Sequence, residues 1–187
     1  MTLAVDLWLF WTYSFLGYLL EKGFAAVTGG AGRGRRCRLL LPLCPVYGAG
    51  VLAVLCLPPG LTDSFWGMAL WGGAAATAAE YAVHWWYESV FGVRFWDYSR
   101  VAWNLRGRVC LPFSAAWGLL LAVCLPPLQE VLMPLLAAVP AGWTWAALGA
   151  FGTDAILTAQ VLLRTGDPEA VRPSLLHLAN AKRQPPA

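Results

Sequence analysis

Apolar runs separated by short gaps, with basic residues confined to every second gap, constrain this chain more than any other feature. The runs fall at about residues 3–27, 39–57, 65–90, 112–125 and 143–163. Most approach the ~20 residues that a helix needs to cross the ~30 Å hydrocarbon core of a bilayer. Arg33, Arg35, Arg36 and Arg38 follow the first run, and Arg94, Arg100, Arg106 and Arg108 follow the third. Arg164, Arg172, Lys182 and Arg183 follow the fifth, whereas the gaps after the second and fourth hold no basic residue. Basic loops stay in the cytoplasm. The alternation therefore predicts an all-α, polytopic transmembrane bundle of about five spans, N-terminus out and C-terminus in. Residues 1–165 form the membrane domain and 166–187 a cytoplasmic polar tail.

Composition agrees. Of the residues, 59% are hydrophobic and 12% charged, against about 25% charged in a soluble domain. Eleven Trp residues suit the boundary between lipid tails and headgroups. The net charge of +3 lies in the loops and reads as topology, with no nucleic-acid partner implied. Met1–Asp6 lacks the basic start of a cleavable signal peptide. The five cysteines, Cys37, Cys44, Cys56, Cys110 and Cys124, form no C-x-x-C pair and read as small apolar fillers. Cys56 and Cys124 both fall toward the outer face, where a disulfide could join them. The run Gly30–Gly34 follows a membrane helix rather than a strand and lacks the Gly-Lys-Ser/Thr ending of a phosphate loop. Two segments stay open at this stage. Residues 128–139, beyond Pro126-Pro127, either continue the fourth span or lie in the interface. Residues 91–109 form an aromatic, arginine-rich third loop.

Charges inside spans are costly, about 2.5–3.5 kcal/mol at a helix centre, so each needs a reason. Glu21 lies in the first run, Glu80, His84 and Glu88 in the third, and Asp154 in the fifth. At 100° per residue the three on the third run share a face within about 80°. Tyr13, Gly17 and Glu21 form a similar stripe on the first. Glu80 lies about 22 Å from the outer end of its run at ~1.5 Å per residue. These residues predict a polar pocket in the cytoplasmic half, lidded by the third loop, with Asp154 near the midplane. Each has a plainer reading. Glu21 and Glu88 can snorkel to the interface. Glu80 can pair with an arginine or with His84, and Asp154 can bond to backbone, Thr153 or Thr158. The Glu-x-x-x-His-x-x-x-Glu face offers metal-ligand chemistry but lacks the second His of known zinc motifs, so no metal is expected. In the third loop, Arg94 and Asp97 would be neighbours if helical. Arg94, Asp97, Asn104, Arg106 and Arg108 are candidates for binding an anion or a lipid headgroup.

Four blocks of the sequence carry a family resemblance. The first is Phe10-Trp11-Thr12-Tyr13-Ser14-Phe15-Leu16-Gly17 with Glu21, and the second Pro42-Leu43-Cys44-Pro45-Val46-Tyr47-Gly48-Ala49-Gly50. The third runs from Glu80-Tyr81 through Glu88 to Arg94-Phe95-Trp96-Asp97-Tyr98-Ser99. The fourth holds Asn104, Gly107-Arg108-Val109-Cys110-Leu111, Ser114 and Trp117-Gly118. With these blocks the chain resembles a family of small bacterial membrane proteins assigned to ABC-transporter permeases. It departs where the family tends to have Asn-Arg-Gly before the second block and Gly before its first Pro; here stand Cys37-Arg38-Leu39 and Leu41. His84 is also outside the family pattern. The resemblance implies a permease-like transport component in the bacterial cytoplasmic membrane. The chain has no ATP-binding motif, so ATP would act only through a separate ATPase subunit, within a homo- or hetero-oligomer. A membrane enzyme acting on a lipid or lipid-linked substrate, and a non-catalytic assembly or regulatory protein, are the alternatives.

Overall fold

A computed structural model describes residues 2–28 and 39–171. The arginines of the first basic loop, Cys37, the Gly30–Gly34 run and the basic residues at 172, 182 and 183 lie outside those residues. The fold is an all-α bundle. Its elements are α1 (Leu3–Val27), α2 (Pro45–Leu55), α3 (Pro59–Thr62), α4 (Phe65–Gly67), a π-helical turn (Met68–Gly72), α5 (Gly73–Phe91), α6 (Leu111–Ala137) and α7 (Ala141–Thr165). Strands β1 (Asn104–Leu105) and β2 (Val109–Cys110) make one small antiparallel hairpin between α5 and α6. α4, the π turn and α5 run on as one rod over 65–91.

Helices α1, α6 and α7 are each long and apolar enough to cross a membrane. Their 25, 27 and 25 residues reach about 37–40 Å at ~1.5 Å per residue. Much of their apolar surface faces outward, including Val123, Val131 and Leu135 on α6 and Trp145, Ile156 and Leu163 on α7. A water-soluble helix shows the reverse pattern, with its apolar stripe turned inward. Backbone chemistry sets the ends. Pro112 lies in the first turn of α6, where its missing N–H costs nothing. α5 and α7 stop at left-handed glycines, Gly92 and Gly166, whose N–H groups bond back to Glu88 and Leu162.

Two segments differ from the hydropathy reading or complete it. The second run is helical only over Pro45–Leu55, 11 residues and about 16 Å. Residues 39–44 are not helical, because Pro42 and Pro45 donate no N–H and push the residues before them toward extended backbone. Groups from elsewhere satisfy the freed donors: Cys44 N–H reaches Ser14 O at 2.9 Å, and Leu39 and Leu40 reach side chains of α7. Such partners are what non-helical backbone needs in a membrane protein, and the last two residues of the stretch, Leu43 and Cys44, are buried. α6, in turn, passes through Pro126, Pro127 and Pro134 unbroken to Ala137, so most of 128–139 continues the fourth helix. Cys56 and Cys124 are free thiols.

Small residues let the central helices touch. A Cβ on Gly17 of α1 would overlap the Tyr47 ring of α2, and one on Gly48 would overlap the Phe10 carbonyl. Where the rod crosses α6, a Cβ on Gly118 would overlap the Ala69 carbonyl. One on Gly73 would stand 2.9 Å from Gly118 Cα. Ala69 lies in the π turn, whose extra residue bulges the rod toward α6. Val5, Leu9, Tyr13, Val51, Val54 and Leu125 form the core of this four-element group. α7 lies at its side, and the turn Pro168–Val171 folds back beneath it to bury Val171 with Tyr87, Val93 and Leu162.

Candidate functional site

The third loop folds as a hairpin packed on the end of α5. Leu105, Arg106, Gly107 and Arg108 make its turn, with Arg108 N–H bonded to Leu105 O at 3.1 Å. Arg106 and Gly107 both take positive φ, 55° and 69°. Glycine is required at 107 for a second reason: a Cβ would meet Asp97 Oδ1 at 2.7 Å. Asn104 closes the turn from within, accepting from Gly107 N–H at 2.9 Å and donating to Val101 O at 2.8 Å. Asp97 Oδ1 accepts from Ser99 N–H at 2.8 Å. That backbone donor, then the Ser99 hydroxyl, hold the Asp97 carboxyl below its ordinary range. Trp96 is buried and donates its indole N–H to Arg108 O at 2.8 Å. The segment is not helical, so Arg94 and Asp97 do not pair as helix neighbours would.

Glu88 ties the loop to α5. Its Oε1 accepts from Arg94, including Nε at 2.8 Å. Its Oε2 accepts from Arg108 Nε at 3.0 Å and Nη2 at 2.9 Å. Arg108 also donates to the Tyr81 hydroxyl and lies 5.0 Å from that ring's centre. The carboxylate raises the Arg108 pKa above its already high value. His84, one turn before Glu88, is buried. Its Nε2 lies 2.9 Å from Trp96 O and its ring packs edge-on against Trp96.

One turn further along the same face, Glu80 is 4% exposed and accepts from the Tyr98 hydroxyl at 3.3 Å. Glu80 also lines a cavity of about 270 Å³ among α1, α2, α5 and α6. The walls are otherwise apolar or aromatic, with Leu16, Val51, Leu121, Leu125 and the rings of Tyr13, Tyr47 and Trp117. Tyr47 donates its hydroxyl to Glu21 Oε1 at 2.6 Å and meets Trp117 edge-on. The Tyr13 hydroxyl is buried and has no hydrogen-bond partner among the described residues. Leaving such a group unsatisfied costs about 1–3 kcal/mol.

Asp154 lies apart from these groups. It is 1% exposed, and its Oδ1 accepts from Leu40 N–H at 2.7 Å, while Thr158 Oγ1 accepts from Leu39 N–H at 3.2 Å. The structure thus brings Glu80, His84 and Glu88 into one column under the hairpin. It connects Glu21 to the cavity through Tyr47 and gives Asp154 a separate task. Arg106 is exposed at the hairpin tip and Asn104 is inside the turn. The tyrosines that receive or support these carboxylates, Tyr47, Tyr81 and Tyr98, were not singled out by charge or spacing, because each partner comes from a distant element.

No curated protein and no solved structure matches the chain. A family model described as "Putative ABC-transporter type IV" matches residues 8–159, a stretch that contains the cavity, the Glu88 cluster, the hairpin and Asp154. The chain belongs to that ABC-transporter-related family of membrane proteins.

Proposed function

We propose that the chain is a permease-type subunit of a transporter in the bacterial cytoplasmic membrane, driven by a separate ATPase. The observation that carries this reading is the cavity of about 270 Å³ at the meeting of four helical elements, with the buried carboxylate of Glu80 in its wall. A carboxylate this deep has a function more often than not, and the family match supplies the transport context. Arginine alternation supports five crossing segments with the N-terminus out, counting the extended stretch 39–44 together with α2 as the second. In that orientation the hairpin and the cavity's Glu80 end face the cytoplasm, and the hairpin is the surface for docking an ATPase. Five segments make a small pathway for one chain, so a second copy or a different permease subunit completes it. Both oxygens of Glu88 accept from guanidinium groups, which favours a structural role over the general-base role that a lipid-acting enzyme would assign it.

Purification of the tagged chain from its native membrane in mild detergent tests the reading. Co-purification of an ATPase, with hydrolysis that responds to Glu80→Gln, is the expected result. Recovery of the folded chain without any ATPase overturns it.

A further inference from the structure

The cavity among α1, α2, α5 and α6 turns little polar surface to what it holds. The carboxylate and the two phenols of its wall are engaged or enclosed. Glu80 is 4% exposed and accepts from Tyr98. Tyr47 gives its hydroxyl to Glu21, and the Tyr13 hydroxyl is buried in the bundle. What remains is hydrocarbon and aromatic ring, with Leu16, Val51, Leu121 and Leu125 in the wall. Such a void stays dry, and leaving it empty forfeits the contacts its walls could make. Hydrocarbon is the filling it fits.

Opening and length both match a lipid chain. The exposed members of the lining, Leu20 and Leu120, stand on α1 and α6, whereas α2 and α5 contribute only buried or half-buried ones. The mouth therefore lies between α1 and α6, both long and apolar enough to cross a membrane, and it opens on lipid. Along α6 the lining runs from Trp117 to Leu128, about 16 Å at ~1.5 Å per residue. That is the depth of one leaflet of a ~30 Å hydrocarbon core, and it lies along the helix axis, as lipid chains do. We propose that the cavity holds one acyl chain of a bilayer phospholipid, which enters sideways between α1 and α6. The chain binds by shape and apolar contact, with no polar anchor inside the void. This goes beyond the permease reading and needs no ATPase.

Photolabelling of the full chain in lipid nanodiscs tests it, with phosphatidylglycerol that carries a diazirine near the end of one acyl chain. Lipid around the bundle can label the exposed Val123 and Val131. Only a chain inside the void reaches Val51 and Leu125, which line it and are buried. The expected result is adducts at both pairs. Leu121→Trp, which fills the void, should abolish the adducts at Val51 and Leu125 and leave those at Val123 and Val131 unchanged. Adducts confined to Val123 and Val131 of the native chain overturn the proposal. So does a folded Leu121→Trp chain that keeps its buried adducts; should that variant not fold, the label at Val51 and Leu125 of the native chain decides. Loss of the buried label to geranylgeraniol, at a mole fraction where unlabelled phosphatidylglycerol leaves it unchanged, also overturns the proposal, because the void would then belong to a branched isoprenoid. An ATPase that co-purifies while Val51 and Leu125 stay unlabelled would discard the lipid assignment alone, and buried label without an ATPase would discard the transporter reading alone.

Discussion

Where α1 meets α2 and the 65–91 rod meets α6, glycines bring backbone against backbone or ring. α7 meets the same bundle differently, through Trp8 Nε1 to Thr144 Oγ1 at 2.9 Å and through Asp154 and Thr158 to the backbone of Leu40 and Leu39. The contrast has a physical origin. Between apolar helices in lipid there is no hydrophobic drive to associate, so helices are joined by close packing or by hydrogen bonds. The central group uses the first, and the side chains of Glu80 and Tyr13 line a cavity among its helices. α7 uses the second, and its buried carboxylate is consumed in holding a non-helical segment in place. Two buried acidic residues thus sit in different settings, Glu80 in a cavity wall and Asp154 against backbone.

The comparison can be broken most severely at a glycine crossing. Gly118→Leu should destabilise the bundle by about 3 kcal/mol, the upper end for overpacking, because the obstacle is the Ala69 backbone and cannot rotate away. Loss of the monodisperse peak on size-exclusion chromatography in detergent would register it. Next comes the α7 attachment. Asp154→Ala should cost about 1–3 kcal/mol by leaving the part-buried Leu40 N–H without its acceptor, whereas Asp154→Asn keeps an acceptor and should recover most of it; unfolding temperatures in detergent separate the two. Arg108→Ala acts outside both regions. It removes both guanidinium bonds to Glu88 Oε2 and should speed trypsin cleavage in the hairpin without loosening α6 or α7, as seen by limited proteolysis.

The smallest effect is a pH dependence in the hairpin. The folded Asp97 carboxyl lies below its unfolded value, so its contribution is fully present above about pH 4, the ordinary carboxylate range, and is lost as pH falls through the folded pKa. Asp97→Asn should flatten that acid limb while leaving stability at neutral pH within about 0.5 kcal/mol, as for other surface changes.

The apolar runs made the all-α bundle legible, since hydropathy and loop charge need no knowledge of contacts. The truncated second helix was legible in principle. Pro42 and Pro45 forbid the first turns of a helix over 39–57, but the run's hydrophobicity outweighed them in a reading by composition. The column of Glu80, His84 and Glu88 followed from helical spacing alone. The pairs Tyr47–Glu21, Tyr98–Glu80 and Arg108–Glu88 did not, because they join side chains from separate elements and no local period encodes them. Asp154 shows the same limit. A backbone or threonine partner was foreseeable, but not that the backbone would belong to Leu40.

The division between a central group joined by close packing and a helix docked by polar bonds is tested most directly by the unfolding temperatures of Tyr13→Phe and Asp154→Ala, measured side by side in detergent. Tyr13→Phe removes a buried hydroxyl that has no hydrogen-bond partner among the described residues, so its midpoint should equal or exceed that of the native chain. Asp154→Ala should fall by several degrees, at about 2–4 °C per kcal/mol for a chain of this size. A Tyr13→Phe midpoint that drops as far as that of Asp154→Ala would contradict the account, because the cavity hydroxyl would then be holding the bundle together.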